Sequence, residues 1–163
     1  MPQDGRLCST SRRILSFLQS FSVTDLAKGM VTTRKEIRVR YAETDMMGIT
    51  YHANYFVWFE TARIHMLETL GISYKELEKS GYGLPVIECH ACFHRPVTFD
   101  DLVVVETSME PSPGVRFQID YLVSCEGQKV TTGYTVHAFM DEKGRVTRPP
   151  SAFLEAVKKD GKG

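Results

Sequence analysis

The chain has 163 residues, 42% of them hydrophobic and 25% charged, and its 20 basic side chains balance 20 acidic ones to a formal net charge of +0. One globular core suits that length, and the balanced charge lacks the basic excess that nucleic acid or an anionic membrane surface demands. No apolar run approaches the roughly 18 residues of a membrane-crossing helix, and the first thirty residues lack the uninterrupted apolar segment of a secretory signal, so the chain reads as cytoplasmic.

Residues 1–30 carry Arg6, Arg12, Arg13 and Lys28 against Asp4 and Asp25, with five serines and two threonines. That bias is weakly like an organelle transit peptide. The segment reads instead as an extension, disordered or upstream of the native start, because a regular strand pattern begins only after Met30. Within it, Ile14, Leu15, Phe17, Leu18 and Phe21 suggest an amphipathic turn or two with no assigned partner. The remainder, residues 31–163, reads as one domain.

Ile37, Val39 and Tyr41 alternate with Glu36, Arg38 and Arg40, the two-residue period of a half-buried strand. A polar connection follows, and Asn54 is expected to cap a helix over 54–70, with Gly71 behind it as a left-handed stop. Phe56, Val57, Trp58, Phe59, Ile64, Met66, Leu67 and Leu70 spread around most of that helix, so other structure is expected to cover several of its faces. A short helix is predicted at 73–79.

Beyond Gly83 the pattern becomes a succession of strands. Residues 84–97 look extended, residues 102–109 form another strand, and Val115, Phe117, Ile119, Tyr121 and Val123 alternate with polar neighbours, as do Val130, Tyr134, Val136, Ala138 and Met140. Short turns at 111–114, 126–128 and 141–144 make neighbouring strands antiparallel. A closing helix is expected at 151–159. The sum is an α+β domain, a curved antiparallel sheet wrapped around one long helix.

Two clusters invite chemistry. His90, Cys92 and His94 share one face of an extended segment, but consecutive members stand roughly 6 to 7 Å apart, too far for one strand to wrap a tetrahedral ion. No metal is expected there; Cys92 and Phe93 read as core filling, and the four cysteines as free thiols. The second cluster is the turn between the first strand and the long helix. Asp45 lies there in a Gly-containing connection, and His52 and Asn54 fall where the first exposed N–H groups of the helix point. A carboxylate facing backbone donors suits attack on a carbonyl.

Tyr41-Ala42-Glu43-Thr44-Asp45, Gly48, Tyr51-His52-Ala53-Asn54-Tyr55 and Phe59-Glu60-Thr61-Ala62-Arg63 together resemble the hot-dog fold, specifically the 4-hydroxybenzoyl-CoA thioesterase family with its bacterial acyl-CoA thioesterase relatives. The resemblance covers residues 35 to 155. It implies hydrolysis of acyl-CoA thioesters to free acid and coenzyme A, with no cofactor. Asp45 corresponds to the family's catalytic aspartate, as general base or nucleophile, and His52 to the position whose backbone N–H polarises the carbonyl. Gly48, expected to let the loop approach closely, joins Tyr51, Asn54 and Glu60 as substrate-binding or supporting residues. Glu60 is also the second candidate carboxylate, because some members carry theirs on the helix. Its three-residue spacing from Arg63 suggests a structural ion pair. Arg95, Arg116 and Lys129 are candidates to meet the phosphates of coenzyme A. The family implies a homodimer pairing sheets edge to edge, often doubled to a homotetramer, with the site between chains. Competing readings are an enoyl-thioester hydratase and a non-catalytic acyl-thioester-binding module.

Overall fold

The structure is a computed structural model that describes residues 30–110 and 114–160. The expected amphipathic turns at 14–21, the N-terminal extension and Cys8 lie outside the described residues. Among the described residues five strands form one sheet: β1 (Val31–Arg38), β2 (Val86–Phe93), β3 (Leu102–Met109), β4 (Arg116–Cys125) and β5 (Gln128–Ala138). The order is β1-β3-β4-β5-β2, antiparallel throughout. The β3-β4-β5 meander is the one its alternating residues predict. Glu126 (φ 51°) and Gly127 (φ 74°) close the β4–β5 hairpin, the paired left-handed conformation that matches the twist of the flanking strands.

The first strand stops earlier than its alternation suggests. It ends at Arg38, and Tyr41 instead opens a 3-10 turn, Tyr41–Glu43. Val39 exchanges backbone hydrogen bonds with Asp100 and Asp101, after which the chain leaves the sheet. Tyr41 is therefore exposed, and it packs edge-on against Phe99 at 5.7 Å rather than in the core.

Helix α1 (Asn54–Thr69) presses Tyr55, Trp58, Phe59, Ala62, Met66 and Leu67 inward. Its cover is one-sided: Val57 remains 50% exposed, and Glu60 and Thr61 face outward beside it. Asn54 is not the cap. Ala53 occupies that position in a helical conformation without a side-chain hydrogen bond, and the Asn54 amide reaches back to donate to the Glu43 carbonyl at 2.8 Å. The other end follows expectation. Gly71 (φ 74°) donates to the Glu68 carbonyl, and Ile72 to that of Leu67, the paired bonds of a left-handed helix stop.

The expected Glu60–Arg63 ion pair does not form. Arg63 turns inward, only 6% exposed, and lays its guanidinium 5.5 Å from the Tyr74 ring centroid. Tyr74 begins α2 (Tyr74–Lys79), whose N-terminus is capped by Ser73 accepting from the Glu76 N–H. At Gly133 of β5 the helix meets the sheet without room for a side chain: an added Cβ would stand 2.7 Å from the Phe59 ring and against the His90 carbonyl. Finally α3 (Ser151–Asp160) buries Phe153 beside Phe139, 4.9 Å away, and Phe117, 6.0 Å away.

Candidate active site

Residues 44–50 make a tight hairpin between the 3-10 turn and the entrance to α1. Thr44 bridges Thr50, the Asp45 N–H donates to the Ile49 carbonyl at 2.9 Å, and the Gly48 N–H donates to the Asp45 carbonyl at 2.9 Å. Asp45 Oδ1 accepts the Met47 N–H at 2.8 Å, which fixes the carboxylate's orientation. Its Oδ2 takes no hydrogen bond among the described residues. Gly48 serves this turn by its left-handed φ of 76°. Among the described residues an added Cβ there would meet nothing within 4 Å.

The chain then enters α1. Asn54 N–H donates to the Tyr51 carbonyl, whereas the N–H groups of His52 and Ala53 find no backbone acceptor among the described residues. They stand at the positive end of the helix dipole, where negative charge is stabilised. The His52 ring is exposed and leans on Tyr51, with centroids 4.3 Å apart.

Asp45 and His52 line one cleft of about 360 Å³. Its walls are largely apolar, with Met47, Ile49, Tyr55 and Phe93 among them, and His94 and Arg95 give it a polar side. Gly48, Tyr51 and Asn54 hold the cleft's framework from outside its wall. Glu60 lies on the open face of α1, away from the cleft.

Several lining residues escape a reading by sequence. Phe93 is 47% exposed and meets Tyr55 edge-on at 5.0 Å, a cleft wall rather than core filling. His94 Nε2 hydrogen-bonds the Thr132 hydroxyl at 2.9 Å; burial, then the Lys129 charge, lowers its pKa and favours the neutral ring. The alternation that puts His94 with His90 and Cys92 was legible, but its place in one cleft with Asp45 required the Ile49–Thr98 bridge and the hydrogen bond from the Thr50 N–H to the Val97 carbonyl. His90 instead stacks on Tyr134 at 5.3 Å, and among the described residues no three metal-ligating side chains converge. Cys89, Cys92 and Cys125 are free thiols. The basic trio separates: Arg95 bonds Gln128 at the cleft end of the sheet near Lys129, while Arg116 starts β4 at its opposite end.

A sheet curled around one long helix, with a carboxylate hairpin at the helix entrance, defines a hot-dog thioester hydrolase. The chain belongs to the thioesterase-like superfamily, whose family model matches residues 39–157. It is 41% identical over 92 residues to the Bacillus subtilis (strain 168) protein YneP, named as a candidate acyl-CoA thioesterase, a match covering 56% of this chain and 67% of that protein. A DHNA-CoA thioesterase from Staphylococcus aureus superposes with a TM-score of 0.74 at 34% identity, over 78% of this chain and 89% of that one. A hypothetical protein from Thermus thermophilus does so with a TM-score of 0.73 at 34% identity, over 78% and 98%. No helix among the described residues is long and apolar enough to cross a membrane.

Proposed function

We propose that this protein hydrolyses acyl-CoA thioesters to free carboxylic acid and coenzyme A, with Asp45 as the reacting carboxylate. One observation carries the reading: Asp45, whose Oδ2 takes no hydrogen bond among the described residues, and His52, whose N–H finds no backbone acceptor there, line the same cleft. A thioester needs little acid help, because its leaving thiol has a pKa of about 8.5 and departs as thiolate. What remains is a nucleophile and a home for the oxyanion. Asp45 provides the first, as general base on water or by direct attack, and the His52 and Ala53 N–H groups provide the second. The His52 ring, leaning on Tyr51, orients substrate at the mouth.

Residues 31–163 work as a single hot-dog domain, and two copies pair through the free edge of β2, pairs assembling into a tetramer. That edge exposes Val86 and Ile87 at one end and Phe93 of the cleft wall at the other, and an exposed apolar edge strand favours association. The free thiols suit the reducing cytoplasm.

Purified wild type and Asp45→Asn, assayed for free thiol on a panel of acyl-CoAs, test the reading. Wild-type turnover lost in Asp45→Asn with binding retained is the expected result. Absence of wild-type turnover on every acyl-CoA, despite tight binding, overturns it in favour of a binding module. A single-turnover reaction in ¹⁸O-labelled water separates the two roles of Asp45: only direct attack can leave label in the aspartate.

A further inference from the structure

Glu43, two residues before Asp45, is only 4% exposed. Its Oε2 accepts the Arg40 backbone N–H at 2.8 Å, and its Oε1 accepts Arg40 Nη2 at 2.9 Å and the Trp58 indole N–H at 3.1 Å. Its backbone carbonyl accepts two more donors, the Tyr51 N–H and Asn54 Nδ2, both at 2.8 Å. A single residue thus joins the end of β1, the far side of the 44–50 hairpin and the first two turns of α1. Trp58 is itself embedded in the core, so the anchor is fixed at its deepest point.

We infer that Glu43 is a positioning residue for the reaction, holding Asp45 and the N–H groups of His52 and Ala53 in register from behind the cleft. The inference rests on the reading of Asp45 as the reacting carboxylate. Glu43 does not line the cleft, so it acts through geometry and not by contact with substrate. Tyr51 and Asn54, which its carbonyl binds, bracket His52 and Ala53. Asp45 stands only two peptide units beyond the same residue.

The ionised carboxylate is specifically required. Every hydrogen-bonding neighbour of its two oxygens is a donor, so a glutamine would turn its own N–H₂ against Arg40 N–H or against Trp58 and Arg40 Nη2. Burial resists ionisation here, but the hydrogen bonds from Arg40 and Trp58 outweigh it and hold the carboxyl below its ordinary pKa. Glu43→Gln therefore loosens the anchor while keeping its bulk, and Trp58→Phe removes one donor while keeping an aromatic ring in the core.

Both variants are to be made alone and with Asp45→Asn, and followed by kcat, KM and amide hydrogen exchange at Asp45 and Tyr51. Each alone is expected to lower kcat about tenfold to a hundredfold, the scale of a small misplacement of reacting groups, with KM nearly unchanged and faster exchange at the two amides. Combined with Asp45→Asn, neither is expected to lower residual turnover further, because the group it positions is gone. Should Glu43→Gln fail to fold, Trp58→Phe carries the test. Unchanged kcat and exchange in folded variants of an active wild type overturn the inference alone, as does a full additive loss on Asp45→Asn. A wild type inactive on every thioester instead overturns the thioesterase reading on which the inference rests.

Discussion

His137 Nε2 lies 2.8 Å from Thr135 Oγ1, and that hydroxyl lies 2.8 Å from the Tyr121 phenol, a buried polar chain across β4 and β5. Burial first, and the Arg63 guanidinium second, press the His137 imidazole from 6.5 down to about 4. The folded protein thus holds this ring neutral where the unfolded chain would protonate it. The contribution of His137 to stability is complete above pH 6.5 and is lost as pH falls toward 4, by about 3 kcal/mol over the whole window. Urea unfolding at pH 7.5, 6 and 5 should show midpoints falling with pH. A flat profile over that range would sink the prediction.

Arg63 adds a second, linked expectation. It is a buried cation without a carboxylate partner among the described residues, its Nη1 is unbonded, and its partner is the Tyr74 ring. Replacing it by methionine keeps the packed stem and removes the charge that disfavours protonation of His137. In Arg63→Met the His137 pKa should rise toward its ordinary value, and the loss of stability between pH 6.5 and 4 should shrink. NMR titration of the His137 ring checks this directly, and an unchanged midpoint would mean that burial alone sets it.

Gly133→Ala should destabilise by about 1 to 3 kcal/mol, the usual cost of overpacking. The added methyl would stand 2.7 Å from the Phe59 ring. That ring cannot withdraw easily, because it stacks flat on Tyr121, 4.3 Å away at an interplanar angle of 6°. Thermal unfolding should give the loss, and Phe59→Leu in the same chain should recover part of it. Full additivity of the two changes would show that the His90 carbonyl, which the methyl also meets, sets the cost instead of the Phe59 ring.

How much of this was legible in sequence depended on the range of the interaction. The β3-β4-β5 meander follows from two-residue alternation and short turns, and the Gly71 stop follows from one residue's conformational freedom, both local signals. The pairing of β1 with β3 and of β2 with β5 joins segments some 40 to 80 residues apart, and no periodicity encodes it. That is why Asp45 and His52 stand out by their place in one short stretch, while Phe93 and His94 join them in the cleft only where the 44–50 hairpin meets residues 97–98. Arg63 misled because three-residue spacing measures proximity along a helix and says nothing of which face is buried. Asn54 misled because a side chain suited to capping had a stronger claim from the Glu43 carbonyl.

Gly48 offers a last test, separating backbone conformation from space. Its φ of 76° lies in the left-handed region, yet an added Cβ would meet nothing within 4 Å. If crowding were the constraint, alanine and asparagine would both be harmful, asparagine more so. If conformation is the constraint, asparagine, which tolerates the left-handed region, should be the milder change. Gly48→Ala should cost about 1 kcal/mol or somewhat more of hairpin strain and lower kcat by letting the 44–50 turn relax around Asp45. Gly48→Asn should retain most of the turnover. Steady-state kinetics of the two variants decide the matter, and a larger loss for asparagine than for alanine would overturn the conformational account.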